Sequence, residues 1–214
     1  MKTQTKLYIA ITLTLTFLLW TLLVKTVDLA FVGPNGSAVG FSTINTLFHR
    51  VTGVNMTLYT VTDWLGLVPI FVALCFAILG LCQWIKRKSI LLVDRNLLTL
   101  GAFYIVVMAV YILFEYIVVN YRPVLINGYL EASYPSSTTM LVLCVIPTAV
   151  MQVKFRVKNK IANYILTLVL FLFALFMVVG RLISGVHWLS DVVGGALISA
   201  GLVFFYSAAA EKTE

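Results

Sequence analysis

Charge is scarce in this 214-residue sequence. Asp, Glu, Lys and Arg make up 11% of it against 61% hydrophobic residues, where a soluble domain carries about 25% charged and about 45–50% apolar residues. A chain with so little polar surface cannot cover itself in water, so a soluble protein is excluded, and with it a disordered one. With 13 Gly and 5 Pro, a collagen-like chain is excluded too. Cysteine is rare: Cys75, Cys82 and Cys144 each lie inside an apolar run. Neither a disulfide framework nor metal-ligand spacing is expected, and buried free thiols are. Acidic residues number only 8 against 15 basic ones, a net charge of +7. In a soluble protein that excess would point to nucleic acid, but the placement of the basic residues gives another reason for it. No internal repeat or low-complexity tract is evident, so the chain reads as one membrane domain.

What the sequence has in abundance is long apolar runs. A bilayer core of about 30 Å is crossed by roughly 20 apolar residues in a helix. Six runs fit, at about 7–24, 65–85, 97–119, 138–153, 162–180 and 189–209, which predicts an all-α bundle of six transmembrane helices. The first follows Lys2 and Lys6, as a signal peptide would, but it is long and no small-residue cleavage site follows Val24, so it is expected to stay as an anchor. The fourth contains Pro147, tolerable where neighbouring helices satisfy the freed carbonyl.

Lys and Arg accumulate in short cytoplasmic loops. Both termini are therefore expected in the cytoplasm, because that arrangement puts Lys2, Lys6, Lys86, Arg87, Lys88, Arg95, Lys154, Arg156, Lys158, Lys160 and Lys212 inside. Only Lys25, Arg50, Arg122 and Arg181 fall outside. The positive charge thus becomes a topology signal and a contact for anionic lipids, and no nucleic-acid partner is needed. The longest outer segment is about 25–64. Its Ile44, Leu47, Phe48 and Val51 form an apolar stripe at helical spacing, expected to lie in the membrane interface.

Ionisable residues at membrane ends are costly and often functional. On the outer side of the last four spans stand Glu115, Arg122, Glu131, Arg181, His187 and Asp191, with Ser133, Ser136, Ser137, Thr138 and Thr139. His187 and Asp191 are four residues apart at the start of the last span, on one helix face. A carboxylate there would orient the imidazole and select its tautomer. A capping Asp beside an interfacial His is the plainer reading of that pair alone. Arg122 and Arg181 suit phosphate oxygens, since guanidinium groups bind them bidentately; a single Arg could equally snorkel at a helix end. Ser136, Ser137 and Thr138 fall just before the fourth span, where hydroxyls cap a helix and free N–H groups attract anions.

The order Arg-Pro, Pro-Ser, then Arg with His six and Asp ten positions later resembles the type 2 phosphatidic acid phosphatase superfamily of integral membrane lipid phosphatases. That family reads Lys-x6-Arg-Pro, Pro-Ser-Gly-His and Ser-Arg-x5-His-x3-Asp. Here the motifs stand as Glu115-x6-Arg122-Pro123, Pro135-Ser136-Ser137-Thr138 and Gly180-Arg181-x5-His187-x3-Asp191, within a phosphatase-like core of about residues 60–209. The resemblance implies a nucleophilic His187 that forms a phosphohistidine, an orienting Asp191, and phosphate-binding Arg122, Ser136, Ser137 and Arg181. It implies no metal or cofactor.

Three departures bear on chemistry. Glu115 replaces a cationic phosphate ligand and would repel phosphate unless protonated or paired with an arginine such as Arg122. Gly180 replaces a serine. Thr138 replaces the histidine that protonates the leaving group, help typically worth about 10²–10⁴-fold. A diphosphate leaves as a phosphate and needs that help far less, so a polyprenyl diphosphate is the favoured substrate among lipid phosphates; Glu131, a water or His49 could supply a proton instead, though nothing in the sequence positions them. The expectation is a multi-pass plasma-membrane phosphatase acting at the outer leaflet. The alternative is a catalytically impaired relative that binds or helps to move a phospholipid or polyprenyl phosphate.

Overall fold

The computed structural model describes residues 1–211; Lys212, counted above on the inner side, lies outside them. Eight α-helices follow in order: α1 (Thr3–Thr26), α2 (Ser42–Thr52), α3 (Met56–Leu65), α4 (Leu67–Arg87), α5 (Arg95–Tyr116), α6 (Ser137–Arg156), α7 (Lys160–Ile183) and α8 (Leu189–Glu211). Six helical stretches are long and apolar enough to cross a membrane, α3 and α4 counting as one from Met56 to Arg87. The protein is a multi-pass integral membrane bundle. Large apolar side chains such as Leu15, Leu22, Phe71, Ile105 and Phe171 face outwards, which in lipid carries no hydrophobic cost.

Helix α6 is the centre. More than half of its apolar window is buried, and it packs on both α7 and α8. Helix α1 lies along α8; Phe17 and Val24 of α1 join Tyr134, Met140, Ile198 and Leu202 in one apolar cluster. At one end of this pair Thr3 and Lys6 bond Glu211, so both ends of the described chain lie together. The same end holds Asp94, bonded by Gln83 and Arg87.

Two parts of the fold differ from the sequence expectation: Cys75 and Cys82 are exposed and only Cys144 is a buried thiol, because α4 turns much of its surface outwards, and the second span begins earlier. The second apolar run starts at Met56 rather than at 65, because α3 precedes it and bends into it at Gly66. Thr57, Tyr59, Thr60, Thr62 and Asp63 make α3 too polar to read as part of an apolar span. The stripe of Ile44, Leu47, Phe48 and Val51 does form a helix, α2, with Ile44, Leu47 and Val51 exposed and Asn45 fully buried on the other side.

Candidate active site

At the bundle end away from Glu211, a cavity of about 750 Å³ opens between α3, α4, α5, α6 and the loop before α6. Glu115, Arg122, Glu131, Ser137, Thr138, Arg181 and His187 line it, together with Tyr59 and Asp63 of α3. Residues spread over more than 120 positions of sequence thus meet in one chamber.

The loop from 117 to 136 is folded on itself through the isolated bridges Tyr121 with Ala132 and Ile126 with Tyr129. The Arg122 N–H donates to the Glu131 carbonyl at 3.0 Å, and the Ser133 N–H to the Asn120 carbonyl at 3.0 Å. This pairing brings the side chains of Arg122 and Glu131 together, with Nε 3.0 Å from Oε2. The contact is an ion pair without hydrogen-bond alignment, for the buried Nε has no hydrogen-bond partner. Arg122 therefore pairs with Glu131 rather than with the more distant candidate Glu115.

His187 is buried in the short connection between α7 and α8. Its Nδ1 lies 3.2 Å from the Ser133 carbonyl oxygen and its Nε2 lies 3.1 Å from Nη1 of Arg122. A carbonyl cannot donate and a guanidinium cannot accept. The proton therefore sits on Nδ1, and Nε2 presents its lone pair. Burial, then the charges of Arg122 and Arg181, hold the imidazole pKa well below its ordinary value of 6.5, so the ring is neutral at neutral pH.

Asp191 stands behind this ring. Its Oδ2 is 3.9 Å from Nδ1, beyond hydrogen-bond length, and accepts the Trp188 N–H at 3.0 Å. That bond from the third residue of α8 to the N–H ahead of the helix is half of a capping box. Oδ1 accepts from Asn120 at 3.3 Å and from Ser190 at 3.4 Å, while Asn45 donates to Ser190 Oγ at 2.9 Å. Asp191 thus ties α2, the 117–136 loop and α8 into one buried network. Ser136 is also set back: it is fully buried, its N–H donates to the Asp191 carbonyl, and its Oγ accepts from Thr139 at 3.0 Å. It does not cap α6 with its side chain, so the first N–H groups of α6 stand beside Ser137 and Thr138 at the cavity wall, a setting suited to an anion.

Arg181, on the last turn of α7, is 1% exposed. Its Nη2 is 3.3 Å from Asp63 Oδ1, its guanidinium lies 4.9 Å from the centre of the Tyr59 ring, and its buried Nε has no partner. Arg122 lies over the same ring at 5.9 Å. Tyr59 and Asp63 lie outside the sequence motifs; they stand four residues apart on α3, which marks a shared helix face but not the arginine that it meets. His49 does not line the cavity and instead bonds the Gly185 carbonyl at 3.1 Å. Among the described residues no group of three or more His, Cys, Asp or Glu is placed to share a metal ion.

The sequence profile of the PAP2 superfamily matches residues 96–213. The chain belongs to the PAP2 superfamily. The fold agrees: the crystal structure of "the first transmembrane PAP2 type phosphatidylglycerolphosphate phosphatase from Bacillus subtilis" is similar with a TM-score of 0.63, over 97% of this chain and 98% of that one, at 20% sequence identity. No curated protein matches. Membership of the PAP2 superfamily supports a phosphatase-type hydrolase of membrane lipids.

Proposed function

We propose that this PAP2 protein hydrolyses a lipid phosphate or diphosphate at the outer leaflet of the plasma membrane, with His187 as nucleophile. The observation that carries the reading is a neutral, buried imidazole whose unprotonated Nε2 turns its lone pair towards Arg122, at the wall of a cavity that also holds both arginines; the incoming phosphate takes over the Arg122 N–H as Nε2 attacks. In the reaction Nε2 attacks phosphorus in line, the bond to the leaving oxygen breaks, and a phosphohistidine forms. Water then attacks that phosphorus, returning Nε2 and releasing phosphate. Arg122, Arg181 and the first N–H groups of α6 neutralise the oxygens of the transferred group, and Ser136 and Asp191 hold the loops behind them.

Thr138 lines the cavity where the family has a histidine, and a hydroxyl is a poor acid. This favours a leaving group that needs no proton, hence a polyprenyl diphosphate. The neighbour from Bacillus subtilis is named for a phospholipid monophosphate, so both classes belong in the test. Purified protein in detergent is assayed for phosphate release from a polyprenyl diphosphate, its monophosphate and phosphatidylglycerolphosphate, alongside His187→Ala. Release that survives His187→Ala overturns the nucleophile. No release from any of the three favours the binding relative over the enzyme.

A further inference from the structure

Arg181 holds an anion that the protein itself supplies, the Asp63 carboxylate. Arg181 is buried, whereas the Asp63 side chain that faces it 3.3 Å away is 55% exposed and is one of the residues that line the cavity. With a buried cation and an exposed carboxylate in one 750 Å³ chamber, the carboxylate is the partner that can turn away into solvent. Arg181 also keeps its buried Nε unpartnered, so its hydrogen-bonding capacity exceeds what Asp63 supplies.

The helix that carries Asp63 is tied to the end of α7 around Arg181 at several points; Arg181 Nη1 itself donates to the Tyr59 carbonyl at 3.5 Å and to the Thr62 hydroxyl at 3.4 Å. The Asn55 side chain caps α3 by accepting the Leu58 N–H at 2.9 Å, and the Asn55 N–H donates to the Ser184 carbonyl at 2.9 Å. Thr62, fully buried, packs beside Gly180, where a Cβ would come within 2.8 Å of Thr62 Cγ2. The serine-to-glycine departure next to Arg181 is therefore what lets α3 lie this close to α7. Tyr59, one turn before Asp63, spreads its ring across both arginines. Helix α3 lies outside the residues that match the family profile.

We propose that Asp63 is a resident counter-anion that occupies the phosphate position on Arg181 and yields it only to a more highly charged group. The proposal rests on the phosphatase reading above and deepens it, because it defines a substrate class. Phosphodiester lipids carry one negative charge, no more than Asp63, and gain little by displacing it. Terminal phosphate monoesters and diphosphates carry up to two or more charges and win the exchange. Asp63 is thereby a specificity-determining residue that keeps bulk phosphodiester lipid off the arginine while admitting lipids with a terminal phosphate.

The test uses full-length protein in detergent and tungstate as a phosphate-sized dianion, with binding read by the thermal shift. Wild type is expected to bind tungstate and Arg181→Gln to lose that binding. Asp63→Asn is expected to tighten tungstate by roughly two- to fivefold, the scale of an exposed ion pair. It should also become sensitive to competition by phosphatidylglycerol, to which wild type is indifferent. Equal or weaker tungstate binding by folded Asp63→Asn overturns the counter-anion. Should that variant fail to fold, carbodiimide labelling of Asp63 in wild type, read by mass spectrometry, decides: tungstate should raise it, and unchanged or lower labelling overturns the proposal. Absence of any Arg181-dependent tungstate binding in wild type removes the phosphate site itself, and the phosphatase reading with it.

Discussion

The Nδ1 of His187 is 3.2 Å from the backbone carbonyl oxygen of Ser133, nearer than any carboxylate oxygen. In a His/Asp pair the carboxylate is the usual reason for tautomer and orientation. Here a carbonyl in the loop before α6 sets the tautomer, and Asp191, 3.9 Å away, contributes charge and holds the loops. The division of labour leads to unequal effects when each residue is changed.

His187→Ala is expected to abolish phosphate release, because no other group presents a lone pair at that point. Asp191→Asn should retain weak turnover: an amide oxygen can still accept the Trp188 N–H, and the Ser133 carbonyl still orients the ring. A loss on the order of 10²–10³-fold in kcat is expected for Asp191→Asn, within the range seen when electrostatic support of a reacting group is removed. Single-turnover phosphate release checks it, and complete loss in Asp191→Asn with an intact fold would transfer the orienting role back to the carboxylate.

The neutral His187 links stability to pH. Its folded pKa is depressed below 6.5 by burial and the two arginines, so below about pH 6.5 the unfolded chain binds a proton that the native one refuses. Stability is complete above pH 6.5 and falls as pH drops from there towards the depressed native value, with a slope of at most about 1.4 kcal/mol per pH unit. The melting temperature of the protein in detergent should decline between pH 7 and pH 5. The decline should be shallower in His187→Gln, and equal slopes for the two proteins would show that other groups govern it.

Gly185 supports the connection that carries His187. It has φ +69°, and a Cβ there would lie 1.9 Å from the Gly53 carbonyl oxygen, a backbone atom that cannot swing aside. Gly185→Ala combines left-handed strain with overlap and should cost about 2–4 kcal/mol, lowering the melting temperature and activity together. Ala at Gly101, where no atom lies within 4 Å of the added Cβ, is the comparison and should change little.

Sidedness is checked with impermeant thiol reagents after replacing the native cysteines. Single cysteines at the exposed Asn127 and Asn159 should label from outside and inside intact cells, respectively. The expectation follows from the placement of the basic residues in the loops. Labelling of both from outside would overturn the orientation and the outer-leaflet site.

The spans and the motif residues were legible because each is a local signal: apolar length, loop charge, or fixed spacing such as His187 to Asp191. Helix α3 was hidden because its polar residues interrupt the hydropathy that reveals α4. Asp63 and Tyr59 meet Arg181 from 118 and 122 positions away, a contact that no spacing encodes. The Ser133 carbonyl was invisible for a different reason, being a backbone group whose placement depends on how the loop from 117 to 136 folds. Asn45, Asn120 and Ser190 are isolated polar residues in sequence and acquire meaning only through the network they build around Asp191.

Thr138 ties the geometry to substrate choice. It lines the cavity at the start of α6, so an imidazole at this position would have access to the bound phosphate. The unmodified protein should cleave a lipid diphosphate in preference to the corresponding monophosphate, because only the monophosphate must expel a strongly basic alkoxide. Thr138→His should then raise monophosphate turnover more than diphosphate turnover, by up to about 10²–10⁴-fold where the new ring reaches the bridging oxygen. The ratio of kcat/KM for the two substrates, measured in both proteins, reads the effect. Efficient monophosphate cleavage by the unmodified protein, with no preference for the diphosphate, would mean that a proton already reaches the leaving oxygen. Glu131, in the same cavity and paired with Arg122, would then be the group to change next, with Glu131→Gln expected to lower monophosphate turnover selectively.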